Sequence, residues 1–293
     1  MPIMDEPRFR DCARYWRSPL LPGAEMVTAE YREHEFSPHW HEAYAIPAIE
    51  AGAEAFAYQG AHHVAEAGTV PVINPGEVHT GSRAMEVGWR YRVFYIPVDF
   101  MVGLAGDIGS APNPMPWFPT DVIRDPDLAA RVAYAHRLLE ALGATPDLGT
   151  PHGDPLAAET ALIDAMSTLI ARYAQHPGDA RRASADPPRV ALMKERLAAD
   201  LTAPLSLTEL AEQVGLSAFH AARLFTQATR MPPHAWRNQL RLQRALALLR
   251  EGMAVADVAA ACGFTDQSHF TRHFRRMFGV PPGRWQAGNA GTR

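Results

Sequence analysis

One arrangement of residues occurs twice in this chain, and it limits the possible folds more than any other feature. Downstream it runs from Val255 to Trp285. A short apolar segment reaches Gly263-Phe264, a helix start follows at Thr265 or Asp266, and the stretch closes with Gly279-Val-Pro281-Pro282 and Trp285. Upstream, Ala211–Ser217 matches Ala259–Thr265, Arg223-Leu-Phe225 matches Arg272-His-Phe274, and Met231–Trp236 matches Val280–Trp285. The offset is 48 residues at one end and 49 at the other. A supersecondary unit written twice is a strong constraint. Two helices joined by a short turn containing Gly are the pattern of a helix-turn-helix.

The faces of the second helix point to a partner. At about 100° per residue, Phe274 and Met277 fall with Phe270 on the buried side. Ser268, Arg272 and Arg275 fall opposite, with Thr271 and Arg276 flanking and Gln267 in the first turn. From Gln267 to Met277 there is no Glu or Lys. Amide, hydroxyl and guanidinium groups match base edges and phosphates, so this face reads as a nucleic-acid contact. In the upstream unit, helix 218–228 turns Ala221, Leu224, Phe225 and Ala228 inward. Ala218, Phe219, Ala222, Arg223 and Thr226 face out. An outward Phe219 suits a thymine methyl or a neighbouring helix, and both readings stand open.

Gly263-Phe264, Asp266-Gln267-Ser268, Phe270, Arg272, Phe274-Arg275-Arg276, Gly279 and Pro281-Pro282 together resemble the DNA-binding signature of the AraC/XylS family of bacterial transcription regulators. The resemblance spans about residues 189–288. It implies base-reading positions at Phe219, Ala222 and Arg223 in the first helix, and at Gln267, Ser268, Thr271 and Arg272 in the second. It has two departures. Arg230 stands where Gly is usual, which bears on the shape of one turn, and Gln286 stands where Arg is common.

The charge distribution agrees. Residues 189–293 hold 14 Lys plus Arg against 7 Asp plus Glu, whereas residues 1–188 hold 14 against 25. A basic C-terminal half suits a polyanion. The two cysteines, Cys12 and Cys262, make no disulfide framework. The N-terminus lacks a signal-peptide pattern, and no apolar run is long enough for a membrane span. A cytoplasmic protein without a membrane partner is expected.

The N-terminal half changes pattern. Short alternating runs at 26–36, 43–49, 54–59, 62–65, 69–73 and 87–96 predict strands, with turns at Gly52, Gly60, Gly68 and Gly81 and irregular chain over 1–25. Pro38-His39-Trp-His41-Glu42 and Gly68–His79 resemble the two motifs of the cupin barrel, in the form found in AraC-type ligand-binding domains. His39 and His41, two apart at a strand, share a face. With His79 they form a candidate site for Zn, Ni or Fe. The cupin pattern also expects a carboxylate where Ala45 and Ile46 stand, and Glu77 is the candidate substitute. The other reading has the same histidines lining a polar ligand pocket. Tyr91, Val93 and Tyr95 share one face of the last strand, so Tyr91 and Tyr95 join His39, His41, Glu77 and His79 as candidate ligand contacts. Arg90 and Arg92 read as surface charges or as partners of an acidic ligand.

The remainder reads as loop over 101–120, helices over 127–142 and 155–173, and a linker over 176–188. A helix over 189–201 follows, then a Ser206…Glu209 capping box and a helix over 233–250 stopped by Gly252. That last helix spans about 27 Å, suited to holding two reading helices near one DNA turn apart, roughly 34 Å. The expected fold class is α+β in two domains. A cupin-like ligand-binding barrel (1–100) and a helical connector (101–175) precede the double helix-turn-helix (189–288). The expected function is a DNA-binding regulator that responds to a small-molecule effector. The resemblance implies a homodimer, and RNA polymerase as a partner if the chain activates. The rival is a metal-dependent cupin enzyme fused to a DNA-binding domain.

Overall fold

The computed structural model describes residues 11–107, 115–119, 121–143, 155–175, 188–203 and 205–289. The chain divides into two compact units, Met1–Ala180 (with Gly291–Arg293) and Arg181–Ala290. Of the expected linker, residues 176–187 lie outside the described residues.

The first unit is built on a curled, open-ended sheet. In chain order its strands are β1 (Cys12–Trp16), β2 (Glu25–Tyr31), β3 (Phe36–His39), β4 (Tyr44–Tyr58), β5 (Ala61–Glu66), β7 (His79–Arg83) and β8 (Trp89–Ile96). Their order across the sheet is β1-β2-β8-β4-β7-β3, with β5 also paired to β4. A separate ribbon joins β6 (Val70–Pro71) to β9 (Val122–Ile123). Helices α1 (Val98–Asp107), α2 (Pro126–Gly143) and α3 (Pro155–Tyr173) complete the unit. Phe94 and Ile96 of β8 share one apolar core with Leu128 and Val132 of α2 and Leu162 and Met166 of α3. Strands and helices therefore share one compact unit that runs across residues 100 and 101.

Four local expectations are corrected. Residues 12–16 are not irregular but pair with β2 along their whole length. Residues 98–107 are helical, although Gly103 and Gly106 suggested loop; Met101, Leu104 and Ala105 are buried and hold them. Gly81 lies within β7 rather than in a turn. Gly52 does not end a strand, because β4 runs unbroken through it. Ile49 pairs with Tyr91 and Ala51 with Arg90, so Glu50 is an extra residue in the ladder. Gly52 has φ +68°, and a Cβ there would stand 2.0 Å from the Gly88 carbonyl oxygen. Only glycine fits.

The second unit is all-helical. It contains α4 (Pro188–Ala199), α5 (Leu207–Glu212), α6 (Ala218–Thr229), α7 (Pro233–Arg250), α8 (Val255–Ala261), α9 (Gln267–Phe278) and α10 (Pro282–Asn289). The Ser206–Glu209 capping box is formed in both directions. Helix α7 has 18 residues, or about 27 Å.

Candidate nucleic-acid interface and effector cavity

Helix α9 is fixed by its ends and its buried face. The Asp266 carboxylate caps it, accepting from the His269 backbone N–H at 2.7 Å. Gly263, at φ +75°, makes the turn from α8. A Cβ there would stand 2.6 Å from the Leu201 carbonyl oxygen, which also accepts from Arg241 Nε at 2.8 Å. Phe270, Phe274, Met277 and Phe278 are buried. Burying each Phe contributes about 2–3 kcal/mol. With that face committed, Gln267, Ser268, Arg272, Arg275 and Arg276 are exposed and Thr271 is half-buried. Among the described residues, no carboxylate lies within 4.0 Å of Arg272, Arg275 or Arg276. Three uncompensated guanidiniums beside an amide and two hydroxyls form a surface suited to phosphates and base edges.

Helix α6 repeats the plan. Ser217 caps it, and Ala221 and Phe225 are buried. Ala222 is half-buried; the side chains of Phe219 and Arg223 lie outside the described residues.

In the first unit, β3, β4, β7 and β8 enclose a cavity of about 50 Å³, room for a few waters or a small ligand. His39 and His79 face one another in register across β3 and β7. His41 follows just after β3, where its carbonyl accepts from Gly76 N–H at 2.8 Å. Buried Asn74 clamps the segment leading to His79: it accepts from Phe118 N–H at 3.0 Å and donates to the Phe118 carbonyl at 2.8 Å. One nitrogen from each of His39, His41 and His79 falls within 4.8 Å of the other two. His39 Nδ1 donates to the Ser37 carbonyl at 2.9 Å and His79 Nδ1 to the Glu77 carbonyl at 3.2 Å. These bonds select the tautomer that leaves Nε2 as the free ligand atom. His41 Nε2 is buried without a partner. Burial lowers all three basicities, that of His39 to about 4. At neutral pH the cluster is three neutral imidazoles, the form that binds a transition metal. The donor set fits Zn, Ni or Fe.

Residues 21–166 match a family model described as the AraC-like ligand binding domain, and residues 210–288 match a helix-turn-helix domain model. The chain belongs to the AraC family. It is 26% identical over 238 residues to the HTH-type transcriptional regulator YbfI of Bacillus subtilis, covering 80% of this chain and 81% of that protein. It is 33% identical over 132 residues to the transcriptional activator RhaR of Pectobacterium atrosepticum, covering 45% of this chain and 46% of the relative, less than half its length. The apo form of a lysine-to-alanine variant of ToxT from Vibrio cholerae shares the fold, with a TM-score of 0.55 at 11% identity over 90% of this chain and 97% of that one. ToxT with an unsaturated fatty acid bound also gives a TM-score of 0.55 at 11% identity, over 92% and 96% of the two chains. This AraC-family chain is a DNA-binding transcription regulator with an N-terminal ligand-binding domain.

Its departures from the family pattern have structural answers. Arg230 holds the turn after α6 at φ +60°, the left-handed conformation that Gly279 adopts at φ +75° after α9. Gln286 Nε2 donates to the Leu249 and Met253 carbonyls at 3.0 and 2.8 Å, tying α10 to the end of α7.

The structure sorts the cavity candidates. Tyr91 and Tyr95 line it. Glu77 does not replace the missing carboxylate; its carboxyl is outside the imidazole cluster and its carbonyl orients His79. Arg92 is neither a surface charge nor a ligand partner. It lies on the far face of β8, bonded to Glu50 at 2.9 Å and to Glu140 of α2. Arg90 pairs with Glu30 and Glu50.

The acid that does line the cavity is Glu54, which the sequence reading passed over. Ala45 and Pro47 line it before the Glu50 bulge, Glu54 and Phe56 after it. The inserted residue reverses which alternate positions point inward. Glu54 among alanines and aromatics, two residues past a Gly, was the signal available in the sequence.

Proposed function

We propose that a small effector enters the first unit's cavity and changes how this regulator occupies promoter or operator DNA. The supporting observation is the pairing, in one chain, of a cavity that sets His39, Glu54, His79 and Thr80 among apolar and aromatic walls with an uncompensated arginine face on α9. Strand β8 offers a route between effector and helices. Tyr91 and Tyr95 face the cavity on one side, and Arg92 on the other is bonded to Glu140 of α2. An effector acts only through its different affinities for two states, so occupancy must favour one packing of α2. Tyr134, Leu156 and Ile163 on α2 and α3 are exposed apolar side chains, and they support these helices as the contact of a homodimer. The protein acts in the bacterial cytoplasm, meeting RNA polymerase where it activates, and performs no catalytic step. No helix among the described residues is long and apolar enough to cross a membrane.

The imidazole cluster supports a second component, a divalent metal held by His39, His41 and His79. It would supply a Lewis-acidic anchor for an effector or, in the rival reading, for an enzyme's substrate. The test joins zinc titration with gel-shift measurements on genomic fragments. A regulator retains a specific fragment, and cavity occupancy alters that retention. If His79→Ala abolishes turnover of a substrate while DNA retention ignores every cavity occupant, the enzyme reading replaces this one.

A further inference from the structure

Glu54 sits in the cavity with nothing to answer its charge. Its Oε1 lies over Gly81, so close that a Cβ there would stand 2.6 Å away. Among the described residues, no hydrogen bond or ion pair reaches its carboxyl. No Lys or Arg lines the cavity. Arg92 faces away and is held by Glu50 and Glu140, and Arg83, paired with Glu54 through the backbone, gives its side chain to Glu33 at 3.1 Å. Glu54 stands outside the cluster of imidazole nitrogens, so a metal there is not its partner. Around it are the rings of Phe36, Phe56, Tyr91 and Tyr95.

We propose that the effector is a small organic cation, an amine protonated at neutral pH, whose ammonium group is received by the Glu54 carboxylate among these rings. The proposal rests on the effector-binding reading above and gives its ligand a chemical class. Glu54 is half-buried as a residue, but desolvation of its unpaired carboxyl favours the neutral form and raises it to about 8. An entering cation supplies the missing counter-charge, the carboxyl proton leaves to solvent, and the ring faces add attraction for the ammonium. An anionic ligand finds no cation here and places its charge beside an acid. A neutral ligand of equal size gains contacts but no ion pair.

The test is calorimetric titration of the full chain in EDTA with n-butylammonium chloride, n-butanol and sodium butyrate, repeated on Glu54→Gln. Glutamine has the shape of the neutral acid, so the variant keeps the cavity; a matching thermal melt checks this. Glu54→Asp is the second variant and retains a withdrawn charge. Butylammonium is expected to bind the native chain about tenfold or more tighter than butyrate. Glu54→Gln is expected to lose that amine affinity, Glu54→Asp to lose part of it, and butanol binding to stay unchanged. Equal amine affinity in native and Gln proteins overturns the proposal, as does a preference for butyrate or no heat from butylammonium at millimolar concentration. Butyrate or butanol binding without the amine overturns the cation and leaves an effector cavity standing. DNA retention that ignores a bound amine counts against the regulatory reading, not against the role of Glu54.

Discussion

Replacing Gly52 by Ala tests the bulge that shapes the cavity, and Gly68 supplies the control. Both have left-handed φ, +68° and +82°. They differ in surroundings: a Cβ at Gly68 meets nothing within 4 Å, whereas one at Gly52 meets the Gly88 carbonyl oxygen at 2.0 Å. The left-handed conformation costs an Ala about 1–2 kcal/mol. The lost freedom of the unfolded chain offsets about 0.4–1 kcal/mol of that. Gly68→Ala should therefore lose about 1 kcal/mol. At Gly52 the contact is backbone against backbone, and no side chain can rotate out of the way. Relief requires β4 and β8 to part, giving up one or two ladder hydrogen bonds at about 1 kcal/mol each and some packing. Gly52→Ala should lose about 3–4 kcal/mol. Urea unfolding followed by fluorescence of buried Trp16 and Trp89 measures both. Equal losses at the two positions would refute the steric argument and leave only backbone conformation.

Three further outcomes are expected. Arg272→Ala should weaken DNA binding by about 1–3 kcal/mol and flatten the logarithmic salt dependence by about one unit if it meets a phosphate; unchanged affinity and slope in an anisotropy titration removes it from the interface. Arg230→Gly should stabilise the second unit by roughly 0.5 kcal/mol, since relief of the left-handed conformation exceeds the entropy that glycine adds to the unfolded chain; a lower melting temperature contradicts this. His136, fully buried against Trp16 and Phe94, has its basicity pushed down to about 3 by burial and then by Arg92. Its folded value lies below the unfolded 6.5, so the unfolded chain binds the proton more readily. Stability is full above about pH 6.5 and falls as pH drops toward 3, by on the order of 4 kcal/mol. His136→Leu should flatten that slope in urea titrations at several pH values.

The second unit was legible because its information is local. A left-handed Gly263, the Ser206, Ser217 and Asp266 caps and the Phe270–Phe274–Met277 spacing each act within a turn or two of chain. Gln286 was the exception, since its acceptors, Leu249 and Met253, lie at the end of α7 and in the turn after it. The first unit was legible where strands alternate simply, as Tyr91 and Tyr95 did. It was not legible where a partner distant in sequence decides. Strand β1 exists because β2 offers an edge, and α1 because Met101 and Leu104 find a core despite two glycines. Arg92 looked like a surface charge because its partners, Glu50 and Glu140, lie 42 and 48 residues away. Glu54 was lost because period-two counting carried across residue 50 gives the wrong side.

Deleting Glu50 alone would restore simple pairing between β4 and β8 without turning the strand over. Ala51 would stay opposite Arg90 and Gly52 opposite Trp89, so Glu54 and Phe56 would keep their place in the cavity. One lost codon would instead remove the carboxylate that ties Arg90 and Arg92 of β8 and Arg137 of α2 together on the outer face. The spare residue thus serves as a clasp between sheet and helix, and its loss would spare the chamber while slackening what the chamber is fastened to.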